Sequence, residues 1–440
     1  MNPTHHDELF DLLGVGVGPF NLSIAALLSS VEEISSVFFE QNEEMIWHPG
    51  MLFPNAEIQV SYLNDLVTLV EPTNPYSFIA YLAQHKRLYR FINAQFKNVL
   101  RAEFSHYLHW VSRSLPNLLF KEKVEDIYFD KTHFVMHTTK RKTKGTHLVL
   151  GNGLSAKIPA CARPYLSKNV FHNQGFLLNP INWQGKKVAL IGGGQSGAEI
   201  VHYILSHGEQ LPSELNWISK RHQLLPMDTS PFVSEFFTPK YAEYFFHLPE
   251  KEKEFLLQEQ HLASDGISFH LLQTIYQKLY SLEFLEHKDK FFKFLSRHEL
   301  THMDSELGRY QLLLTELGTA KKSIISADIV ILCTGYQWEF PSYLSSLAEK
   351  IPLNEEGRFC VNQDFSITWE GPKQHRIYVQ NAARHSHGIA DPNLNVMAWR
   401  SATIINSIAQ AQIYDLNHEN TFLDWEREFV PEERKYALFA

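Results

Sequence analysis

The stretch KKVALIGGGQSG, residues 186–197, places an apolar strand directly before a glycine-rich turn, and residues 198–205 are predicted to follow as a helix. Gly192, Gly194 and Gly197 match the GxGxxG dinucleotide-binding fingerprint. The first glycine allows the sharp turn, the second lets a pyrophosphate approach the backbone, and the amides of the helix N-terminus face the negative charge. The stretch therefore predicts one Rossmann-like unit.

A second glycine turn lies near the N-terminus, where FDLLGVGVGP, residues 10–19, again runs from an apolar strand towards a predicted helix. The turn residues assigned to cofactor binding are Gly14, Gly16, Gly18 and Pro19. Pro19 replaces the third glycine of the fingerprint, which the first helical turn tolerates because the missing N–H would be unpaired. The next strand, residues 37–39, ends at Glu40, an acid that suits a ribose hydroxyl. Taken alone, this match leaves open a glycine turn without a ligand.

The residues after the following strand distinguish the two turns. Behind the 186–197 turn, the strand 215–218 ends in Ser219, Lys220 and Arg221 where an acid would otherwise stand. A serine and two cations suit a 2′-phosphate, so this site is predicted to take NADPH, whereas the N-terminal site with its acid suits FAD. The alternative for the two cations is plain solvated surface charge.

A third small-residue turn follows the apolar strand predicted over residues 327–332. Thr334, Gly335 and Tyr336 form this turn, in which the backbone can pass close to a cofactor. Residues 150–153 are its counterpart in the first segment.

Composition excludes several other classes of protein. The 440 residues include 40 basic and 49 acidic side chains, for a net charge of −9, which argues against a nucleic-acid partner. The three cysteines form no CxxC pair, so a disulfide reductase, a zinc ribbon and a disulfide scaffold are not expected. Residues 1–10 carry no Lys or Arg, which argues against a signal peptide. A cytoplasmic protein without a membrane span or a metal site is predicted.

Nine short motifs carry a resemblance to a known family. They are Gly14–Leu22, Trp47–Met51, Pro72–Phe78, Gly192–Gly197, Phe237–Pro239, Ser264–Gly266, Thr334–Tyr336, His387–Ala390 and Met397–Ser401. On these residues the chain is similar, over nearly its whole length, to the siderophore-pathway N-hydroxylating flavin monooxygenases that act on lysine, ornithine and related amines. Within that family it looks most like the lysine side-chain N-hydroxylases of the aerobactin pathway.

The resemblance implies an α/β fold with two Rossmann-like dinucleotide-binding domains and a smaller, mostly helical substrate region. The expected domains are FAD-binding segments 1–180 and 327–440 around an NADPH-binding domain 181–326, with the helical insertion at about 239–300. NADPH would reduce FAD, O2 would give a flavin hydroperoxide, and an unprotonated primary amine would attack it. The family also implies a homo-oligomer, often a tetramer. An NADPH-dependent flavin reductase that passes electrons to a partner is the alternative from another class.

Site residues follow from the resemblance one position at a time. Gln59 matches a glutamine near the flavin ring and is the predicted catalytic residue, and Trp47 and His48 match the loop against the flavin. His387 and Gly388 match the C-terminal FAD contact. The NADPH set is Gly192, Gly194, Gln195, Ser196, Gly197, Ser219, Lys220 and Arg221. For Trp47 and His48 a purely structural packing role is the alternative.

One departure from the family bears on the substrate. The amino-acid hydroxylases carry Phe-Leu-Lys-Asp-Leu, whose lysine is implied to clamp the substrate carboxylate, but this chain has Asn64 in that position. Ser234 likewise stands where ornithine enzymes have an asparagine. The substrate is therefore predicted to be a decarboxylated amine such as histamine, putrescine or cadaverine. The alternatives are L-lysine or L-ornithine, with another cation such as Lys240 as the clamp. The predicted substrate contacts are Asn64, Ser234, Asp265 and Asn395, with Asp265 accepting from a distal ammonium or imidazole N–H.

Overall fold

Both glycine turns join a buried parallel strand to a helix. The computed structural model describes residues 9–96, 98–288, 291–417 and 420–425. Residues 1–8 and the end of the predicted 327–440 segment lie outside the described residues. In each unit the last four residues of the strand before the turn, 12–15 and 188–191, are buried, as parallel strands covered on both faces require.

The regular elements of the described residues are as follows. The strands are β1 (Leu9–Val15), β2 (Ser36–Phe39), β3 (Leu118–Leu119), β4 (Val124–Phe129), β5 (Phe134–Thr138), β6 (Lys142–Leu150), β7 (Ser155–Ala156), β8 (Val170–His172), β9 (Lys187–Ile191), β10 (Glu214–Ile218), β11 (Phe292–Leu295), β12 (His298–Glu306), β13 (Arg309–Glu316), β14 (Lys322–Ala327), β15 (Ile329–Leu332), β16 (Tyr336–Gln337) and β17 (Ile377–Val379). The α-helices are α1 (Pro19–Leu28), α2 (Phe78–Gln84), α3 (Leu88–Ala94), α4 (Arg101–Ser114), α5 (Gln195–Ser206), α6 (Pro231–Ser234), α7 (Pro239–His247), α8 (Glu250–Glu259), α9 (His261–Asp265), α10 (Phe269–Tyr280), α11 (Arg384–His387) and α12 (Met397–Ala409). Shorter helical turns include a 3₁₀ turn at Pro49–Met51 and a π-turn at Ser281–Leu285.

The first sheet has the order β3-β2-β1-β6-β5-β4, and β17 also pairs with β6. Strands β3, β2, β1 and β6 run parallel, whereas β4 and β5 are antiparallel additions. Helices α1 and α12 pack against each other beside this sheet. The parallel part, with β17 returning from the C-terminal segment, is the Rossmann-like unit predicted for residues 10–40.

The second sheet has the order β11-β10-β9-β15-β8, and all its pairings are parallel. Two of its strands, β8 and β15, lie outside the limits 181–326 that were predicted for the NADPH-binding domain. Strands β8 and β15 fall within segments that the sequence assigned to FAD binding, but they hydrogen-bond into this second sheet. The sheet therefore spans residues 170–332, because two strands are contributed from beyond the predicted limits.

The strand predicted over residues 327–332 is two elements. Ala327 ends β14 of a separate three-stranded antiparallel sheet, whose order is β12-β13-β14, and β15 begins at Ile329. Asp328 makes the change of sheet: its N–H donates to the Lys187 carbonyl, and its carboxylate accepts from the Lys187 N–H, both at 2.8 Å. The stretch 327–332, which was predicted as one strand, therefore contains a change from one sheet to another that its sequence pattern does not indicate.

The predicted helical region of about 239–300 is helical only as far as Leu285. Helices α7 to α10 and the π-turn fill this part, and β11 and β12 follow. The prediction of helix up to residue 300 was wrong because Phe292 and Phe294 belong to a strand that pairs with β10.

The described residues form three hydrophobic cores, and these cores do not divide the chain at the predicted domain boundary. Met51, Phe53 and Ala56 are buried in the second core, with residues of β9 and α5 such as Leu190 and Val201. The loop after β2 is thus packed into the nucleotide unit behind the second glycine turn. Among the described residues, no helix combines the length and apolarity needed to cross a bilayer.

Candidate cofactor and active site

The first glycine turn has no room for a side chain at two of its three glycines. Gly16 has φ +83°, and a Cβ there would lie 2.7 Å from the Gly151 carbonyl oxygen. At Gly14 a Cβ would lie 2.0 Å from the Phe38 ring. The turn therefore needs glycine at both positions and leaves its exposed side bare for a ligand.

Polar contacts hold this turn in a shape that suits a dinucleotide. Glu40 accepts the Val17 N–H at 2.9 Å through one oxygen and the Asn42 N–H at 2.9 Å through the other. Gly18 caps α1 with Pro19 next to it, and the cap has no side-chain hydrogen bond and no acid in its first turn. An uncapped helix N-terminus beside a bare turn fits the pyrophosphate of FAD, and Glu40 at the end of β2 lies where a ribose is bound in such folds.

The second glycine turn is more tightly enclosed. Gly192 has φ +129°, and a Cβ there would lie 2.0 Å from the Cys333 carbonyl oxygen. At Gly197 a Cβ would lie 2.6 Å from the Gly192 carbonyl oxygen, whereas at Gly194 it would meet no atom within 4 Å. Gly192 and Gly197 thus close the strand and helix together, while Gly194 faces open space at the start of α5. Gln195 and Ser196 follow in the first turn of that helix, and this first turn has no acidic residue.

Ser219 and Arg221 lie against the second turn. Ser219 is buried, and a Cβ at Gly193 would lie 2.3 Å from its hydroxyl. Arg221 donates from Nη1 to the Gly193 carbonyl at 3.4 Å and to the Asp265 carbonyl at 3.0 Å. Lys220 points elsewhere, with its ammonium 2.6 Å from Glu299. The structure therefore brings Ser219 and Arg221 to the turn, but not the Lys220 ammonium.

Arg221→Ala is expected to raise the KM for NADPH by about 10- to 100-fold and to leave the KM for NADH nearly unchanged. A charge-assisted hydrogen bond to a phosphate is worth about 1.5–3 kcal/mol, and only NADPH carries the 2′-phosphate. Steady-state kinetics with both coenzymes measure the difference. Lys220→Ala, as the contrast, is expected to change the NADPH value less than threefold because Lys220 is paired with Glu299. Equal effects on NADPH and NADH would contradict this role for Arg221.

The third small-residue turn lies beside the second glycine turn. Gly335 has φ +78°, and its carbonyl accepts from His172 Nε2 and from the Lys157 N–H, both at 3.0 Å. The Thr334 hydroxyl donates to the Lys157 carbonyl, and Tyr336 pairs with Ala156. Because the Cys333 N–H donates to the Ile191 carbonyl at the end of β9, this turn lies directly beside the second glycine turn.

The segment predicted to lie against the flavin forms an open loop. Trp47 is half-buried, with its ring 5.7 Å from the Phe104 ring, and its backbone N–H donates to Ser105 Oγ at 3.3 Å. His48 is exposed and adopts φ +51°, which turns the chain into the 3₁₀ turn at 49–51. Gln59 is exposed on the loop that follows. The side chains of His48 and Gln59 are therefore accessible to a ligand. The left-handed backbone conformation of His48 is of the strained kind that clusters at functional sites.

His387 is more deeply buried than a direct ligand contact would be. It is 2% exposed, Ser386 Oγ lies 2.9 Å from its Nδ1, and the Phe365 ring stacks on it at 4.1 Å. Burial lowers the pKa of His387 to about 3, so its imidazole is neutral at ordinary pH. Gly388 has φ +81°, and a Cβ there would lie 3.1 Å from the Phe245 ring. The pair forms the end of α11 and the turn that follows it.

The four predicted substrate contacts are dispersed over separate segments. Asn64 is half-buried in a turn, with its N–H donating to the Ser61 carbonyl at 3.0 Å, and Ser234 is exposed at the end of α6. The Asp265 carboxylate accepts from Arg384 Nη2 at 3.1 Å. Asn395 Oδ1 is buried and has no hydrogen-bond partner among the described residues.

Sequence reasoning missed the ion pairs around these loops. Arg101 of α4 binds Glu199 of α5, and Arg384 binds Asp265. Glu199 stands one helical turn after Gln195, which is a detectable signal on the same helix face. Arg101 and Arg384 gave none, because their partners are distant in sequence. Among the described residues, no group of His, Cys, Asp and Glu is arranged to hold a metal ion.

Comparison with known proteins identifies the family. The L-lysine 6-monooxygenase/L-ornithine 5-monooxygenase model matches residues 8–338. L-lysine N6-monooxygenase of Escherichia coli is 38% identical over 417 residues, which cover 94% of this chain and 98% of that relative.

Two solved structures share the fold over almost the whole chain. The FAD-bound cadaverine monooxygenase of the desferrioxamine pathway of Erwinia amylovora superposes with a TM-score of 0.90 at 29% identity, covering 96% of this chain and 99% of that one. The ornithine N-hydroxylase of Kutzneria sp. 744, solved with reduced FAD, NADP+ and L-ornithine, gives 0.85 at 26% identity, covering 92% and 99%. The chain therefore belongs to the L-lysine 6-monooxygenase/L-ornithine 5-monooxygenase family, which confirms the predicted α/β fold, the N-hydroxylating monooxygenase activity and the cofactors FAD and NADPH.

Proposed function

We propose that the chain N-hydroxylates a primary amine without a carboxylate, such as histamine, putrescine or cadaverine, to supply siderophore biosynthesis. Asn64 carries the proposal, because it stands where the amino-acid hydroxylases that the chain resembles have a lysine. A charge-assisted bond to a carboxylate is worth about 1.5–3 kcal/mol, and a neutral amide gives nearer about 1 kcal/mol. A site for an amino acid gains little by discarding that cation.

The arginines around the predicted cofactor loops support the proposal, because each already has partners within the protein. Arg384 donates to Asp265 at 3.1 Å and to Ser264 Oγ at 3.3 Å. Arg101 binds the Glu199 carboxylate, and Arg221, which donates to two backbone carbonyls, is proposed to bind the coenzyme 2′-phosphate. None of these three guanidiniums is left to bind a substrate carboxylate. The described site is therefore better suited to accept hydrogen bonds from a substrate than to bind its carboxylate.

The acceptors suit a ligand that carries a second N–H. Asn395 Oδ1 is a buried oxygen without a partner among the described residues, and leaving such an oxygen unpaired costs about 1–3 kcal/mol. An ammonium or an imidazole N–H at the far end of the substrate would satisfy it. Asp265, in contrast, already accepts from Arg384, so we assign the far-end contact to Asn395 in preference to Asp265.

The protein itself contributes by orienting the substrate and by excluding water from the reacting groups. When bound, the reduced flavin supplies the activation of O2, and the amine must meet the activated oxygen in its neutral form. The half-buried Trp47 packs on Phe104, which in turn packs on Phe78, so the apolar core lies directly behind the loop that is predicted to face the flavin. Removing water from around an ammonium lowers its pKa, which favours the nucleophilic free amine.

A substrate panel tests the proposal directly. Lysine, ornithine, histamine, putrescine and cadaverine are compared by the hydroxylamine formed and by the NADPH consumed. We expect kcat/KM for one of the three decarboxylated amines to exceed that for both amino acids by at least about 10-fold, the size of one lost charge-assisted bond. Preference for lysine or ornithine would overturn the proposal. NADPH consumption that yields only peroxide with every amine would favour the flavin-reductase alternative.

Two variants separate the lost clamp from a relocated one. Asn64→Lys is expected to raise kcat/KM for lysine by about 10-fold or more while lowering that for the preferred amine, because it restores a cation at the family position. Lys240→Ala is expected to leave the substrate ranking unchanged. If Lys240→Ala abolished activity on lysine in the unaltered Asn64 background, Lys240 would be the clamp and an amino acid would be the substrate.

The tetramer and the cytoplasmic location stay predictions. Sedimentation of the FAD-loaded protein measures the subunit number, and an assembly of four chains is expected from the family.

A further inference from the structure

A buried ion pair connects the flavin-side loop to the nucleotide-binding helix. Arg101 Nη2 lies 2.8 Å from Glu199 Oε1 and Nη1 lies 3.1 Å from Oε2, so the pair is bidentate. The two side chains are only 14% and 8% exposed. Arg101 begins α4 in the first unit and Glu199 lies in α5 of the second, so the pair spans the two units.

On the Arg101 side, the contacts hold the middle of the segment that is predicted to face the flavin. Arg101 Nη1 donates to the Met51 carbonyl at 2.8 Å, immediately after the Trp47–His48 loop. Its backbone N–H donates to the Ala56 carbonyl at 2.7 Å, three residues before Gln59. One residue therefore fixes the backbone between the predicted flavin contacts, after Trp47 and His48 and before Gln59.

On the Glu199 side, the contacts reach the start of α5. Glu199 Oε1 also accepts from Gln195 Nε2 at 3.0 Å, and Gln195 Oε1 accepts the Ser268 N–H at 2.9 Å. Gln195 is the first residue of α5, directly after Gly194, and Ser268 is the N-cap of α10. The carboxylate thus holds the side chain that stands at the predicted pyrophosphate site and, through it, the helical region.

We propose that Arg101 and Glu199 are positioning residues for hydride transfer, which hold the nucleotide helix in register with the flavin-side loop. The inference rests on the proposed placement of NADPH at the second glycine turn. Hydride transfer requires close, aligned reactants, and a misplacement of about 1 Å can cost about 100-fold in rate. A buried ion pair contributes little to stability compared with apolar packing but fixes geometry, which is the property needed at this junction.

Glu199→Gln tests the proposal. An amide offers one acceptor oxygen to the three N–H groups that Glu199 now accepts, and its own NH2 would oppose Arg101 or Gln195. In anaerobic stopped-flow experiments on the FAD-loaded protein without amine, we expect the limiting rate of flavin reduction by NADPH to fall at least about 10-fold. Reduction by dithionite and the FAD content are expected to stay at wild-type values. The limiting rate is expected to fall by a larger factor than the NADPH dissociation constant rises.

Two further variants complete the experiment. Glu214→Gln removes a more exposed ion pair, 3.1 Å from Lys187 at the opposite end of the second sheet, and should leave the reduction rate unchanged. Arg101→Lys keeps the charge but loses the bidentate geometry, so its rate should lie between wild type and Glu199→Gln.

The outcomes separate the proposals. A wild-type reduction rate in Glu199→Gln overturns the positioning role, and so does an equal fall in Glu214→Gln. If Glu199→Gln does not retain FAD, Arg101→Lys decides by the same criterion: a wild-type rate overturns the role, and a slowed rate supports it. Failure of the unaltered protein to be reduced by NADPH would instead contradict the placement of the coenzyme. The identity of the amine does not enter, because no amine is present.

Discussion

Gly192→Ala is expected to slow NADPH-driven flavin reduction by at least about 100-fold while the protein still binds FAD. The residue adopts φ +129°, which L side chains rarely adopt, and a Cβ would lie 2.0 Å from the backbone oxygen of Cys333. That oxygen cannot swing aside, because Cys333 N–H donates to Ile191 at 2.7 Å and the residue is buried. The turn must therefore move relative to β15, and displacement of about 1 Å suffices for such a loss.

The measurement is anaerobic reduction by NADPH, with dithionite as the second reductant and the FAD-to-protein ratio as the check on the first unit. Gly175→Ala is the matched control, since its Cβ would meet no atom within 4 Å and its φ is not in the left-handed region. We expect that variant to be reduced at the wild-type rate. Normal NADPH kinetics in Gly192→Ala would show that the second turn does not bind the coenzyme as inferred.

Asp391→Ala is expected to lower the free energy of unfolding by about 3–5 kcal/mol, because it leaves a buried guanidinium without its charge partner. Arg400 is fully buried, and its Nη1 binds the Asp391 carboxylate and carbonyl. The guanidinium also lies over the rings of Phe20 and Phe365, at 4.3 and 5.6 Å from their centroids. Those rings do not replace a carboxylate, and Arg400 Nε and Nη2 have no hydrogen-bond partner among the described residues.

Urea denaturation of the FAD-saturated protein, followed by circular dichroism, measures this loss. Asp130→Asn breaks an exposed pair with Lys144 and is expected to cost at most about 1 kcal/mol. Asp391→Ala/Arg400→Met is expected to recover part of the loss, because an apolar side chain tolerates burial. If the double variant is as unstable as Asp391→Ala, the loss comes from the Ala383 N–H, which also donates to Asp391 at 3.0 Å.

The glycine turns were the predictable part of the fold. Their φ values and the absence of room for a Cβ at Gly14, Gly16 and Gly192 are what the fingerprint encodes, so a local pattern was sufficient. The strands before both turns and the helices after them were therefore predicted correctly. The sheet to which a strand belongs is a different matter, because it depends on pairing with residues far along the chain. Strand β8 and the switch at Asp328 illustrate this: apolar strands look alike whichever sheet they join.

The candidate site divides in the same way. Arg221 lies at the glycine turn because it follows the neighbouring parallel strand, a relation that is local in the fold and readable in sequence. Asp265 could be found as part of a motif, but its partner Arg384 lies 119 residues away, so the ion pair could not be anticipated. The same holds for Arg101 and Glu199, 98 residues apart. Lys220 shows that closeness in sequence is not sufficient: it directly precedes Arg221, but its ammonium pairs with Glu299 and does not face the glycine turn.

The burial of Met51, Phe53 and Ala56 among residues of the second sheet has a consequence for protein engineering. A fragment cut at residues 181 and 326 would leave out β8 and β15, as well as the three apolar side chains that close its interior. A chimaera that exchanges coenzyme specificity between relatives should therefore carry residues 47–58 and 170–332 together. Grafting the shorter piece would join two incompatible interiors at the place where both coenzymes must meet.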